Sequence, residues 1–328
     1  MNRLPIFGPL LLAAALLAAC DRPAPPSERT SASATGAASD TASEPLVDVP
    51  TFYGTHYLFL ATEGSAPAGL ALHFVGRAEP ERYRQDHRGW LFDGREGWSR
   101  IAWDQRDGPP IRRPWRVFPT RGLRLIVGEQ GEIAELLAAG PDRRVAIRIG
   151  PLLDRWEDPD AARRRIHQAI VQGAAGSGAT PVSGLLLEEQ AVRPRAAVPP
   201  PFQNHDSAIL RLGGGDVLVF SYPRGREGYG SAFAWASLSG VYRRWDRLDV
   251  QVTGRMNDTT VSRSVPARWQ FAIPEPRLQG ELTATALRGS VLGSSGPGPV
   301  HLLYAVTGWV EIDGRRRDAA GLLEHGEQ

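Results

Sequence analysis

Lysine is absent from the 328-residue chain. All 38 basic side chains other than histidine are arginine, set against 36 carboxylates, for a formal net charge of +2. Such a near-neutral chain lacks the clustered basic excess of a nucleic-acid module, so nucleic acid is not an expected partner. The short runs Arg143-Arg144, Arg163-Arg164-Arg165 and Arg315-Arg316-Arg317 read as solvated surface charge. Cysteine occurs once, at Cys20, which leaves no partner for an intrachain disulfide and no thiol in the body of the chain. Stability must then come from core burial, and the length allows two modest cores.

The usual catalytic signatures are missing as well. There is no Gly-x-Ser-x-Gly nucleophile elbow. Ala236-Ser237-Leu238-Ser239-Gly240 brushes the pattern but lies in an apparent strand. Gly225-Arg226-Glu227-Gly228-Tyr229-Gly230 matches neither a dinucleotide nor a phosphate-loop fingerprint and reads as a hairpin loop. The seven histidines are dispersed, with no His-x-His or His-Glu-x-x-His pair, so neither a metal nor a cofactor is expected.

What is present begins at the N-terminus. One positive charge (Arg3) precedes an apolar run from Leu10 to Ala19 that is too short to span a bilayer comfortably. Leu17-Ala18-Ala19-Cys20 resembles the bacterial lipobox. That resemblance implies removal of residues 1–19 and lipid attachment at Cys20, placing the protein in the bacterial cell envelope, anchored to a membrane and facing the periplasm or outside. Residues 20–50 are rich in Pro, Ser, Thr, Ala and Gly and read as a flexible tether.

From Thr51 the pattern changes to short apolar or alternating runs between turn residues. His56–Leu60, Leu70–Val75, Arg144–Ile149, Ile209–Arg211, Asp216–Tyr222, Ala232–Leu238, Leu248–Gly254, Val265–Ile273, Leu278–Leu287 and Leu302–Asp313 read as strands. Gly213-Gly214-Gly215 marks a hairpin. The spacing predicts an all-β sandwich or barrel. One helix is expected over 159–172, capped by Asp158-Pro159-Asp160 with Ile166, Ile170 and Val171 at helical spacing, and a weaker one over Glu132–Ala139. The proline run to Pro199-Pro200-Pro201 reads as a stiff connector, which divides the chain into a first β-domain over 51–195 and a second over 203–328.

Candidate site residues are few. His73 alternates inside an apolar strand and reads as a core histidine. Asp86-His87 and His205-Asp206 each join a carboxylate to an imidazole, the residue types of acid–base catalysis. Adjacent side chains in an extended segment point apart, which weakens both pairs. Nine tryptophans (90, 98, 103, 115, 156, 235, 245, 269 and 309) are the richest resource, suited to core packing or to lining an apolar cavity.

Ala232–Leu238, Arg244-Trp245-Asp246-Arg247-Leu248, Trp269-Gln270-Phe271-Ala272-Ile273-Pro274 and Gly308-Trp309-Val310-Glu311-Ile312-Asp313-Gly314 occur in that order. This order resembles the C-terminal domain of the two-domain lipocalin-like proteins grouped with AttH and the carotenoid hydratases. The resemblance implies two consecutive lipocalin-like antiparallel barrels, with Phe52–Leu60, Ala71–Gly76 and Gly89–Phe92 as early strands of the first. It departs from the family where catalytic residues would be carried over: Gly228–Leu238 has neither Asp nor His. It therefore implies fold and an apolar ligand more than an enzyme. The leading expectation is a membrane-anchored lipoprotein holding a hydrophobic small molecule, lipid or isoprenoid-like, against Trp235, Trp269 and Tyr304. The alternatives are a hydratase or isomerase using His205 with Asp206 or Asp86 with His87, and a non-enzymatic interaction protein.

Overall fold

Two consecutive sheets with the same winding account for nearly all of the described backbone. The computed structural model describes residues 51–64, 68–94, 97–109, 122–127, 132–139, 144–158, 162–173, 180–194, 204–224, 231–274, 277–291 and 300–327. Cys20, the tether, the proline connector and the Gly225–Gly230 loop lie outside them.

The first sheet contains β1 (Thr51–Ala61), β2 (Gly69–Ala78), β3 (Tyr83–Phe92), β4 (Trp98–Gly108), β5 (Leu123–Val127), β6 (Ile133–Ala139), β7 (Arg144–Asp158), β8 (Ala162–Gln172) and β9 (Val182–Pro194). The second contains β10 (His205–Leu212), β11 (Val217–Pro223), β12 (Phe233–Leu238), β13 (Val241–Trp245), β14 (Asp249–Asp258), β15 (Arg263–Ile273), β16 (Leu278–Val291), β17 (Val300–Ile312) and β18 (Arg315–Glu327). The strand orders are 4-3-2-1-9-8-7-6-5 and 13-12-11-10-18-17-16-15-14. Each is an antiparallel meander whose last strand returns to pair with its first, β9 on β1 and β18 on β10. This is the all-β architecture expected from the strand rhythm, in the two-barrel form that the family resemblance implies.

No α-helix occurs among the described residues. The segment read as a helix over 159–172 is strand β8 where it is described, paired with β7 and β9. Ile166 and Ile170 are four residues apart, and that spacing shares a face in a strand as well as in a helix. Cross-strand partners decide the outcome: Arg164 faces Glu189 and Arg165 faces Glu188 on β9. The weaker helix over Glu132–Ala139 is likewise strand β6. The glycine hairpin is present, and Gly214 and Gly215 both take positive φ (85° and 84°) that glycine adopts without strain.

Alternation along each strand divides the side chains between three cores. Tyr57, Phe59, Leu70, Leu72, Leu136, Ile147, Val171 and Leu186 fill the first barrel. Leu210, Phe220, Trp269, Phe271, Leu302, Tyr304 and Leu323 fill the second. The intervening residues of the same strands form a third cluster that draws on both sheets: Leu58, Leu60, Trp90, Trp156 and Leu187 from the first, Ile209, Val219, Phe233, Trp235, Leu303 and Leu322 from the second. Both sheets belong to one compact unit, and this third cluster is the seam between them. Part of one face of β1, β2, β3, β7, β8, β9, β10, β11, β12, β17 and β18 is thereby buried in the seam.

Candidate functional site

The seam is not apolar throughout. On β1, His56 sits opposite His73 of β2 on one side and opposite Glu189 of β9 on the other, and Glu189 in turn sits opposite Arg164 of β8. This cross-strand row presents four polar side chains to the second barrel. The facing sheet answers with Ser221 of β11, Ser207 of β10 and Glu324 of β18, again in register. His205 and His301 lie two residues from Ser207 and Leu303 on β10 and β17, and so share their face. Four of the seven histidines in the chain converge here. The other three point into the barrels: His87 and His167 into the first, His325 into the second.

Glu324 is the hub. Its Oε1 lies 2.6 Å from His56 Nδ1, 2.6 Å from His301 Nε2 and 3.6 Å from His205 Nε2, and its Oε2 lies 3.4 Å from His73 Nε2. The rings pack on one another as well. His56 and His73 stack with centroids 4.0 Å apart, and His301 stands edge-on to His73 at 4.0 Å. Trp90 closes one side, edge-on to His73 at 5.0 Å. Glu189 is held separately: it accepts from Arg164 Nε at 2.9 Å, from Ser207 Oγ at 2.8 Å and from Ser221 Oγ at 2.9 Å. The two serines belong to the second barrel, so Glu189 is bonded across the seam.

Burial and charge pull the four rings apart. Burial drives His73 down to about 4 and His301 down to about 3, and lowers His56, against the opposing pull of Glu324. Three of the rings are therefore neutral near pH 7. His205 moves the other way: burial opposes its charge, but Glu324 and Glu189 together outweigh burial and raise it. Glu324 itself would be raised by burial, yet the surrounding imidazoles hold it well below the ordinary carboxylate range. Burial likewise disfavours a charged Glu189, and Arg164 and His205 reverse that. One carboxylate with three imidazoles around it could hold a metal ion, since its ligand atoms all lie within 4.8 Å of one another. His56, Glu189 and His205 make a second, overlapping group of the same kind.

The residues singled out from the sequence are placed as follows. His205 faces the seam, while its neighbour Asp206 turns into the second barrel and binds His325 Nδ1 at 2.7 Å and Arg224 Nε at 2.6 Å. His87 turns into the first barrel and bonds Gln85 at 2.7 Å, away from Asp86. Neither adjacent pair works as a pair, because successive side chains leave opposite faces of a strand. Trp235 lies in the seam, whereas Trp269 and Tyr304 pack edge-on at 4.9 Å inside the second barrel. In the first barrel, Phe74, His87 and Leu123 line a void of about 10 Å³, room for roughly one water.

His56, Glu189, His301 and Glu324 escaped the sequence reading, and Arg164, read there as solvated surface charge, is buried against Glu189. Spacing along the chain shows no metal motif because the partners meet only through strand pairing. One signal was available: β9 and β18 both carry Gly-Leu-Leu followed by acidic residues, at Gly184–Glu189 and Gly321–Glu324. A Cβ on either glycine would meet a backbone oxygen of the neighbouring first strand, Leu60 O at 2.2 Å or Ile209 O at 2.1 Å.

No known protein-family pattern matches this chain. No characterised protein matches it by sequence either. The fold, however, is shared with solved structures. One is a protein described as an AttH from Nitrosomonas europaea, 14% identical, covering 84% of this chain and 92% of its own, with a TM-score of 0.56. Another is kievitone hydratase from Nectria haematococca, 9% identical, covering 87% of this chain and 94% of its own, with a TM-score of 0.52. At these identities the likeness establishes the two-barrel lipocalin-like fold.

Proposed function

We propose that the protein is a lipid-anchored envelope enzyme that takes an apolar substrate at the seam between its barrels and moves protons on it, adding water across a carbon–carbon double bond or shifting that bond. The observation that carries this reading is the burial of four imidazoles, two carboxylates and Arg164 in a seam otherwise walled by Trp90, Trp156, Phe233 and Trp235. A carrier of apolar molecules does not need His205, Glu189 and Arg164 there, since each buried charge costs several kcal/mol unless it is paired, on the order estimated for ions in protein interiors. An apolar wall with a few convergent polar groups is the usual composition of a small-molecule site. The indole N–H groups of Trp156 and Trp235 are buried without a hydrogen-bond partner among the described residues, which leaves them as candidate donors to a ligand.

In a hydration, His205 delivers a proton to one alkene carbon while a water oxygen bonds to the other. Glu189, anchored by Arg164, Ser207 and Ser221, takes the surplus water proton, and the sum is one water added. The fold shared with kievitone hydratase supports this chemistry. The lipobox at Cys20 supports the location, because an anchored protein sits beside a membrane source of apolar substrate. The test is to incubate the full chain with isoprenoid and other apolar alkenes in ¹⁸O-labelled water and to follow label uptake by mass spectrometry. Labelled product from the native chain and none from His205→Gln supports the reading. Equal yields from both would overturn the assignment.

Binding without chemistry is the second reading, favoured by the aromatic wall itself. It predicts a shift of tryptophan fluorescence on titration with the same compounds, reduced in Trp235→Phe, and no label uptake.

A further inference from the structure

Four side chains at the centre of the seam have a geometry that acid–base chemistry does not require. His56 and His73 come from adjacent strands of the first barrel, and His301 and Glu324 from adjacent strands of the second. All four are at most 3% exposed. We propose that His56, His73, His301 and Glu324 bind one divalent zinc-type ion that clamps the two barrels together.

The donor set selects the metal. Three imidazole nitrogens and one carboxylate oxygen suit zinc and its neighbours, whereas calcium and magnesium call for oxygen ligands. An ion with bonds of about 2.0–2.1 Å holds tetrahedral ligand atoms about 3.3 Å apart. The four ligand atoms here lie within 4.8 Å of one another. Glu324 Oε1, at 2.6 Å from two of the nitrogens, has to withdraw by well under about 1 Å for the ion to enter at those bond lengths.

Four protein ligands mark a structural site rather than a catalytic one, which would keep an open position. The topology gives such a site a purpose. The chain has a single cysteine and no disulfide to join its barrels, while the four ligands tie β1 and β2 to β17 and β18. His205, 3.6 Å from Glu324 Oε1, stands outside the set as the partner that orients the carboxylate. His205 and Glu189 are not ligands in this arrangement, so the metal does not depend on the proposed chemistry.

The experiment uses the full chain in detergent, stripped with a chelator, reloaded with zinc and freed of excess. Bound metal is measured by elemental analysis, with cobalt substitution read by visible absorption as a report on geometry. One equivalent of zinc per chain, tetrahedral cobalt bands and a higher unfolding temperature on reloading are expected. His73→Gln and His301→Gln should each lower bound zinc at least tenfold, and His205→Gln should weaken affinity by about 10–100-fold. His87→Gln, a buried histidine outside the set, should keep full stoichiometry and guards against a loss caused by misfolding. Less than a tenth of an equivalent in the native chain would overturn the proposal. So would full stoichiometry in the combined His73→Gln, His301→Gln chain. None of these readouts involves substrate, so the metal and the proposed hydration can fail separately.

Discussion

Glu189 and Glu324 hold equivalent places in the two barrels. Each lies on the closing strand, each faces the seam, and each sits opposite a polar residue of the opening strand: His56 for Glu189, Ser207 for Glu324. Their surroundings differ. Glu189 is paired with a permanent cation, Arg164, at 2.9 Å, while Glu324 is ringed by imidazoles that burial keeps largely neutral. One carboxylate is thus anchored, and the other is a hub.

The Arg164–Glu189 pair is buried on both sides, at 4% and 5% exposure, so removing one partner strands the other's charge. Arg164→Met is expected to destabilise the protein by about 3–5 kcal/mol. Adding Glu189→Leu should recover at least half of that, since two apolar residues then meet across β8 and β9. Equilibrium urea unfolding of the two single variants and the double variant gives the coupling. Additive losses would show that the pair is not energetically linked.

The all-β class was legible in the sequence because turn residues and alternating apolar runs recur at strand spacing, and Gly213–Gly215 fixed one hairpin, while the division into two barrels came from the family resemblance. The helix over 159–172 was misread because Ile166 and Ile170 satisfy both periods, and only Glu188 and Glu189 on the next strand decide between them. The seam site was illegible for a related reason. His56, His73, Glu189, His205, His301 and Glu324 span most of the chain, and register, not spacing, brings them together. Asp86-His87 and His205-Asp206 attracted attention as neighbours, yet neighbours on a strand belong to different compartments.

The paired glycines give a direct test of close approach between opening and closing strands. Gly321→Ala would place a Cβ 2.1 Å from Ile209 O. The resulting strand shift should cost roughly 1–3 kcal/mol. Gly184→Ala meets Leu60 O at 2.2 Å and should behave alike. Gly213→Ala, with nothing within 4 Å of the new carbon, should stay within about 0.5 kcal/mol of the native chain. Thermal or urea unfolding separates the three, and a harmless Gly321→Ala would mean that β10 and β18 can part without loss.

A charged belt runs across the second barrel: Arg224 to Asp206, Asp206 to His325, His325 to Glu327, and Glu327 to Arg255. A hydrogen bond from His325 is the largest influence on Glu327, which is lowered from 4.5 to about 2 against partial desolvation, with Arg255 helping. A depressed folded-state pKa contributes stability that is present above the unfolded value and lost as pH falls through the folded one. Stability should therefore decline from about pH 4.5 towards pH 2. Glu327 is partly solvated, so its share is only about 1 kcal/mol after screening. Glu327→Gln should flatten the slope of stability against pH in that window, measured by urea unfolding at steps of pH. An unchanged slope would assign the acid sensitivity to other carboxylates such as Asp206.

The divided roles of His205 and Asp206 give the sharpest test of function. His205 faces the seam beside Glu324 and Glu189, while Asp206 is wholly buried in the second barrel and bonded to His325 and Arg224. Were the two a catalytic pair, His205→Gln and Asp206→Asn would impair turnover alike. Because they lie on opposite faces of β10, the effects should separate. His205→Gln should lower label uptake from ¹⁸O water by about 10²–10⁴-fold, the usual worth of a positioned acid or base. Asp206→Asn leaves the seam intact but weakens a buried, doubly bonded carboxylate, so its loss should appear in stability, at about 1–3 kcal/mol. Its turnover per folded molecule should stay within about threefold of native, a rate change worth under 1 kcal/mol. Turnover and unfolding measured on the same preparations decide the matter, and a large catalytic loss in Asp206→Asn with stability preserved would move the acid–base centre from the seam into the barrel.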